Sequence, residues 1–221
     1  DTSILNFPKM FMNTFVIAIF TCIISTIFVL SVAYSMSRMR FKMRKPFMNI
    51  AMIIGLFPSF MSMIAVYYIL RALNLADGAM IRVALIIVFS AGSGAGFYVA
   101  KGFFDTISKS LDEAAIIDGA TRWNVFTKIT VPLSKPIIVY TILTSFMGPW
   151  VDFIFGKVIC RADAQYYTVS IGLWKMLEKE YIDSWYTCFA AGAVVVSIPI
   201  AILFLMTQKF YVEGMTGAVK G

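Results

Sequence analysis

The residues able to do polar chemistry in this chain are few and unevenly placed. There is no histidine, which removes the commonest general base and metal ligand. Cys22, Cys160 and Cys188 are scattered without a paired metal-ligand spacing, so no metal site, disulfide framework or cofactor is expected. The densest polar passage is Ser110-Leu111-Asp112-Glu113-Ala114-Ala115-Ile116-Ile117-Asp118-Gly119, followed after nine residues by Ile129-Thr130-Val131-Pro132. Its chemistry is recognition. Ser110 and Glu113 have the spacing of a capping box, which satisfies orphan backbone donors at a helix start. Asp112 and Glu113 suit the positive end of the helix dipole, and Gly119 suits a left-handed stop. A short helix over 111–118 is expected, with the adjacent alanines Ala114 and Ala115 leaving a low surface that another protein can approach closely.

The elements that must position this helix are apolar. At 60% hydrophobic and 14% charged residues, the chain is too apolar for an ordinary soluble domain. Its net charge of +7 fits Lys and Arg retained at a cytosolic face, with membrane lipid rather than nucleic acid around it. Five stretches, at about 11–37, 47–70, 80–101, 137–157 and 186–208, reach the roughly 20 apolar residues a membrane helix needs. The loop Arg38-Met39-Arg40-Phe41-Lys42-Met43-Arg44-Lys45 has five positive charges and no acid, which places it in the cytosol. Alternation then puts 71–79 outside, 102–136 inside, 158–185 outside and the C-terminal end inside. Inside segments hold eleven of nineteen Lys and Arg against five of twelve acids, and outside segments hold five Lys and Arg against six acids. The N-terminal end then falls outside with no signal peptide evident. A sixth, upstream span is the simplest completion, with Pro8 and Lys9 ending an outer loop.

Pro58, Pro149 and Pro199 lie deep in three of these stretches. Each frees a carbonyl, either at a packing kink or in a broken helix lining a transport path. Gly148-Pro149-Trp150 with Asp152 is the best case for a path, because intramembrane acids face bundle interiors or aqueous cavities. Trp150, Asp152 and Tyr140 of the same stretch are the candidate pathway residues. Gly92-Ser93-Gly94-Ala95-Gly96 lacks both the third glycine of a dinucleotide loop, where Phe97 stands, and the Gly-Lys-Ser/Thr ending of a nucleotide loop. Its Gly92 and Gly96, four apart, read as close helix packing. In 158–185, Tyr166, Tyr167, Trp174, Tyr181 and Trp185 fit either an interfacial aromatic belt or a surface for an outside partner.

Glu113-Ala114-Ala115, then Gly119, then Ile129 and Pro132, resemble the EAA loop of ABC importer permeases. That pattern is Glu-Ala-Ala, three residues, Gly, nine residues, Ile-x-Leu-Pro, with Val131 here in place of the leucine. In that family the loop forms a coupling helix seated in a cleft of the ATPase subunit. Leu73-Asn74-Leu75-Ala76-Asp77, Thr168-Val169-Ser170-Ile171-Gly172-Leu173 and Val219-Lys220-Gly221 look like carbohydrate-uptake permeases, closest to the smaller six-helix permease subunit of maltose/maltodextrin importers. The resemblance implies an all-α, polytopic helical membrane protein, a single type I ABC importer transmembrane domain in the bacterial cytoplasmic (inner) membrane. It implies a transport subunit rather than an enzyme, with ATP hydrolysis carried by a dimeric ABC ATPase. A second permease subunit, an extracytoplasmic sugar-binding protein and an oligosaccharide substrate are the other implied partners. Glu113, Ala114, Ala115, Asp118, Gly119, Ile129 and Pro132 would couple to the ATPase, Trp123 and Phe126 would pack on membrane-helix ends, and the tail 211–221 would reach between the ATPases. The alternatives are an ABC importer of another solute or a stand-alone secondary transporter.

Overall fold

The computed structural model describes residues 5–56, 59–92, 96–161, 163–179 and 182–217, and their regular structure is helical. Helix α1 (Phe7–Arg38) is the one the others gather round. It packs most extensively on α9 (Lys135–Val151), then on α5 (Gly96–Thr106) and α4 (Met80–Gly92). The cause is a stripe of small side chains, Thr14, Ala18, Thr21, Ser25 and Ala33, each no more than 1% exposed. Small residues let helix backbones approach closely where apolar surroundings supply no hydrophobic drive. Phe20, Ile23, Ile27 and Phe28 stay exposed on the other flank. The helix begins earlier than expected: Asn6 accepts a hydrogen bond from the Lys9 amide at 3.1 Å, and Pro8 occupies the first turn, where its missing N–H costs nothing. Pro8 and Lys9 therefore open α1 rather than close a loop.

Among the described residues two helices, Phe7–Arg38 and Ile182–Phe210, are singly long and apolar enough to cross a bilayer. Met80–Gly92 with Gly96–Thr106, bent by 43°, and Arg122–Leu133 with Lys135–Val151, bent by 81°, qualify as broken pairs. The stretch 47–70 falls on α2 (Arg44–Gly55) and α3 (Ser59–Ala72), and Pro58 lies outside the described residues. The stretch 137–157 is divided. Helix α9 ends at Val151, Asp152 turns to extended backbone (φ −75°, ψ 123°), and α10 (Ile154–Cys160) follows. Pro149 thus sits in the last turn of α9, while α12 (Ile182–Gly217) runs through Pro199 as one helix. Of the glycine pair, Gly96 packs against Val29 of α1 and Gly92 meets no neighbour within 4 Å of a built Cβ. Residues 93–95 between them lie outside the described set.

Beyond α9 come α10, a 3-10 turn (Ala164–Tyr166) and α11 (Val169–Met176), and the turn and α11 pack on the start of α1. Buried Asn13 donates to the carbonyls of Gln165 (3.0 Å) and Tyr167 (3.2 Å) and accepts from Arg82 Nε of α4 (3.0 Å). Thr14 Oγ1 accepts from the Val169 amide at 2.8 Å. Such bonds each contribute about 0.5–1.5 kcal/mol net. More decisively, they satisfy buried groups that would otherwise oppose the packing. Tyr166 and Tyr167 are 7% and 4% exposed, so they are neither an interfacial belt nor an open partner surface. They are core, with Arg82 over the Tyr166 ring. Trp174 is half exposed and tilts on Phe153. Trp185 packs on the same core. Tyr181 lies outside the described residues.

Candidate functional site

Helix α6 (Lys109–Ile117) is the short helix expected after Ser110, with its start moved back. Ser108, not Ser110, is the N-cap, and its Oγ accepts from the Ser110 amide at 3.3 Å. Lys109 already has helical backbone, so Ser110 and Glu113 do not form the reciprocal box. The C-terminal stop is as expected. Gly119 has φ +86°, its amide donates to Ile116 O at 3.0 Å, and the Ala120 amide donates to Ala115 O at 2.9 Å. These two bonds form a Schellman closure, which needs a left-handed residue where Gly119 stands.

The helix has two distinct flanks. Asp112 and Ala115 are half-buried, whereas Leu111, Ala114 and Ile117 stand exposed, Ile117 at 85%. Adjacent helical residues point about 100° apart, so the two alanines do not share one surface. Ala114 forms the low point between Leu111 and Ile117, and Ala115 faces inward. Glu113 and Asp118 are exposed at the edges.

The inward flank is fixed to α1 by Arg38. Its Nη2 donates at 2.8 Å to both Phe104 O and Ile107 O, the carbonyls that end α5. Its Nε lies 3.4 Å from Asp112 Oδ2 on α6, and the two side chains are 3% and 14% exposed. Ser37 Oγ donates to Asp105 at 2.6 Å beside it.

Downstream, α7 (Arg122–Val125) passes into a π-turn (Phe126–Thr130), α8 (Val131–Leu133) and then α9. The Val131 amide reaches back five residues to Phe126 O. Pro132 has no amide to continue the ordinary ladder, so the extra residue of the π-turn absorbs the mismatch. Ile129 lies in the π-turn and Pro132 in the short α8, so the second half of the spaced motif forms the elbow of 81° into α9. Phe126 packs on Tyr34 of α1 at 4.7 Å, whereas Trp123 leans on Phe126 and is 69% exposed.

The pathway candidates part company. Tyr140 and Asp152 line one cavity of about 640 Å³, with Thr21 of α1 and Thr141, Thr144 and Ser145 of α9. Asp152 Oδ1 also accepts from the Gly156 amide at 3.0 Å, capping α10. Trp150 does not line this cavity. It is 3% exposed and meets Phe11 edge-on at 5.2 Å.

Residues 27–215 match the family model of the binding-protein-dependent transport system inner membrane component. The chain belongs to this family. It is 35% identical to the galactooligosaccharides transport system permease protein GanQ of Bacillus subtilis (strain 168), over 98% of this chain and 76% of that protein. It is 32% identical to the maltodextrin transport system permease protein MalD of Streptococcus pneumoniae (strain ATCC BAA-255 / R6), over 96% of this chain and 74% of that one. Among solved structures, that of a bacterial ABC transporter involved in the import of the acidic polysaccharide alginate matches with a TM-score of 0.75. The identity there is 26%, over 93% of this chain and 75% of that chain. The chain is thus a multi-pass inner-membrane permease of the ABC importer class, with the expected all-α fold.

Within this permease, sequence reasoning missed Arg38 and Asn13. Arg38 ends an apolar run, which is where any cytosolic charge would stand, and nothing local points to Asp112. Asn13 is a lone amide in an apolar helix. Nothing around it in the sequence points to carbonyls more than 150 residues away.

Proposed function

We propose that this permease forms half of the translocation pathway of an ATP-driven oligosaccharide importer of the maltose/maltodextrin type, and that α6 docks in a cleft of its ATPase. The observation that carries the docking reading is the exposed Leu111–Ala114–Ile117 flank of α6. Its opposite flank is pinned to α1 through Arg38 and Asp112. A helix presented in this way suits helix-in-groove recognition. ATPase closure would push on α6, and the Arg38 joint and the Pro132 elbow would pass the movement to α1 and α9. A second permease subunit would supply the other half of the pathway, and a solute-binding protein would deliver cargo at the outer face. The oligosaccharide assignment is supported by the galactooligosaccharide and maltodextrin permeases among its relatives. Tyr140 and Asp152 are the proposed pathway-facing residues, because they share a cavity with several hydroxyls.

The test is affinity purification of the tagged permease with its subunits, for the native chain and for Glu113→Lys and Gly119→Asp. Both variants are expected in the membrane at native levels, with ATPase recovery reduced on the order of tenfold, the loss expected when a central contact worth about 1.4 kcal/mol is removed. Full ATPase recovery with both variants would refute the docking role. In the same preparation, a cognate oligosaccharide should raise the melting temperature of the co-purified binding protein. If only non-sugar solutes do so, the cargo assignment fails.

A further inference from the structure

On the inward side of α6 lies a cleft of about 580 Å³ between that helix and the connector after α1, within the size range of small-ligand sites. Arg38, Arg40, Arg44, Lys109 and Arg122 line it, against only two acids, Asp112 and Glu113. Arg38 at its base is itself short of acceptors. Its Nη2 donates to two carbonyls and its Nε faces Asp112 at 3.4 Å, but Nε and Nη1 are both buried with no hydrogen-bond partner. The cleft as a whole therefore carries more positive charge than its two acids answer, and a buried guanidinium N–H without an acceptor is costly. An anion at the rim, against Arg40 and Arg44, would relieve that field, and phosphate oxygens match guanidinium donors well.

The connector shows what kind of phosphate fits. From Arg40 to Arg44 cations alternate with apolar side chains, and Phe41 and Met43 are 42% and 62% exposed, as is Phe47 at 45% one turn on. A free anion has no use for exposed apolar groups beside its site, whereas a lipid places acyl chains there. The α6 flank facing the cleft, with Lys109, Asp112 and Ile116, is not the Leu111–Ala114–Ile117 flank offered to the ATPase. We propose that this cleft holds the headgroup of an anionic phospholipid of the cytosolic leaflet, wedged between the connector and the coupling helix. Basic juxtamembrane clusters attract such lipids with about 1 kcal/mol per Lys or Arg. The inference rests on the cytosolic placement of this face and not on ATPase docking, since Gly119 lies outside the cleft and tests docking separately.

The experiment is native mass spectrometry of the assembled importer in neutral detergent, titrated with phosphatidylglycerol, phosphatidylcholine or inorganic phosphate. The native complex should retain phosphatidylglycerol about tenfold better than phosphatidylcholine. Arg40→Gln with Arg44→Gln should erase that preference with subunit composition unchanged, and Lys42→Gln, outside the cleft lining, should keep it. Equal retention of the two lipids overturns the proposal, as does a preference that survives the double change. Equal loss with Lys42→Gln reduces the effect to general surface charge and overturns the site. Displacement of phosphatidylglycerol by equimolar inorganic phosphate makes it a free-anion site instead. Loss of the ATPase with lipid preference intact makes the cleft a protein contact, which also overturns it.

Discussion

Arg38 donates to two helix-ending carbonyls and pairs with a carboxylate, joining the end of α1 to α5 and α6 more than sixty residues on. A guanidinium can do this because its donors form a rigid fork, whereas a lysine ammonium could not span all three acceptors. Arg38→Met would leave Asp112 as a partly buried, unpaired charge and two carbonyls without their donor. Breaking a buried pair from one side costs about 3–5 kcal/mol. The exposure of Asp112 at 14% puts this case at the lower end. The expected outcome is a clear fall in the melting temperature of the purified permease. Adding Asp112→Leu should recover part of that loss, because the orphaned charge goes with it. Purely additive losses in this double-mutant cycle would show that the two residues do not act as a pair.

Two seams between elements decide how well the chain could be read beforehand. The downstream motif was legible only as a family likeness, and the π-turn and elbow before α9 show what Pro132, which cannot donate a backbone hydrogen bond, does there. Gly119 was legible for a backbone reason. The cap moved from Ser110 to Ser108 because both serines suit it, and their side chains in fact bond to each other at 2.7 Å. The tyrosines of the outer segment were not legible, since an aromatic at a membrane boundary has the same local pattern whether it faces lipid or core. Only the long-range bonds from Asn13 and Thr14 decide it. The burial shows in chemistry too: it pushes the neighbouring Cys160 thiol up to about 12, with the Asp163 charge adding to the effect. The stretch around Gly172, noticed only as a family likeness, is the seam itself. A Cβ at Gly172 would overlap Met10 Sδ, and Met10 is 1% exposed with little room to move. Gly172→Ala should therefore destabilise by about 1–3 kcal/mol through overpacking. Met10→Ala in the same chain should recover part of it by opening space. A melting temperature unchanged by Gly172→Ala would mean that α11 lifts off α1 without cost.

At the scale of the whole molecule, the fold has a polar lock at each end of α1 and a waist of small side chains between them. Asn13, Arg82 and Arg161 tie the α4, α10 and α11 ends together, and Arg38 ties the α5 and α6 end. The orientation we propose for this axis rests on charge alone, since the connector after α1 is wholly basic while residues on the other face are balanced. Both functional readings depend on that orientation, because an ATPase and a cytosolic-leaflet lipid are available on one side only. It can be read directly with a membrane-impermeant maleimide. Among the three native thiols, Cys160 is buried and its raised pKa leaves almost no thiolate near neutrality, and Cys22 and Cys188, half-buried and exposed, are replaced by Ser. Leu73, 62% exposed just beyond α3, and exposed Lys42 serve as reporters. Leu73→Cys should label in intact spheroplasts, and Lys42→Cys only after the membrane is opened. The reverse pattern would turn α6 away from any ATPase, and it would remove the docking and lipid proposals together while leaving the fold and its family membership in place.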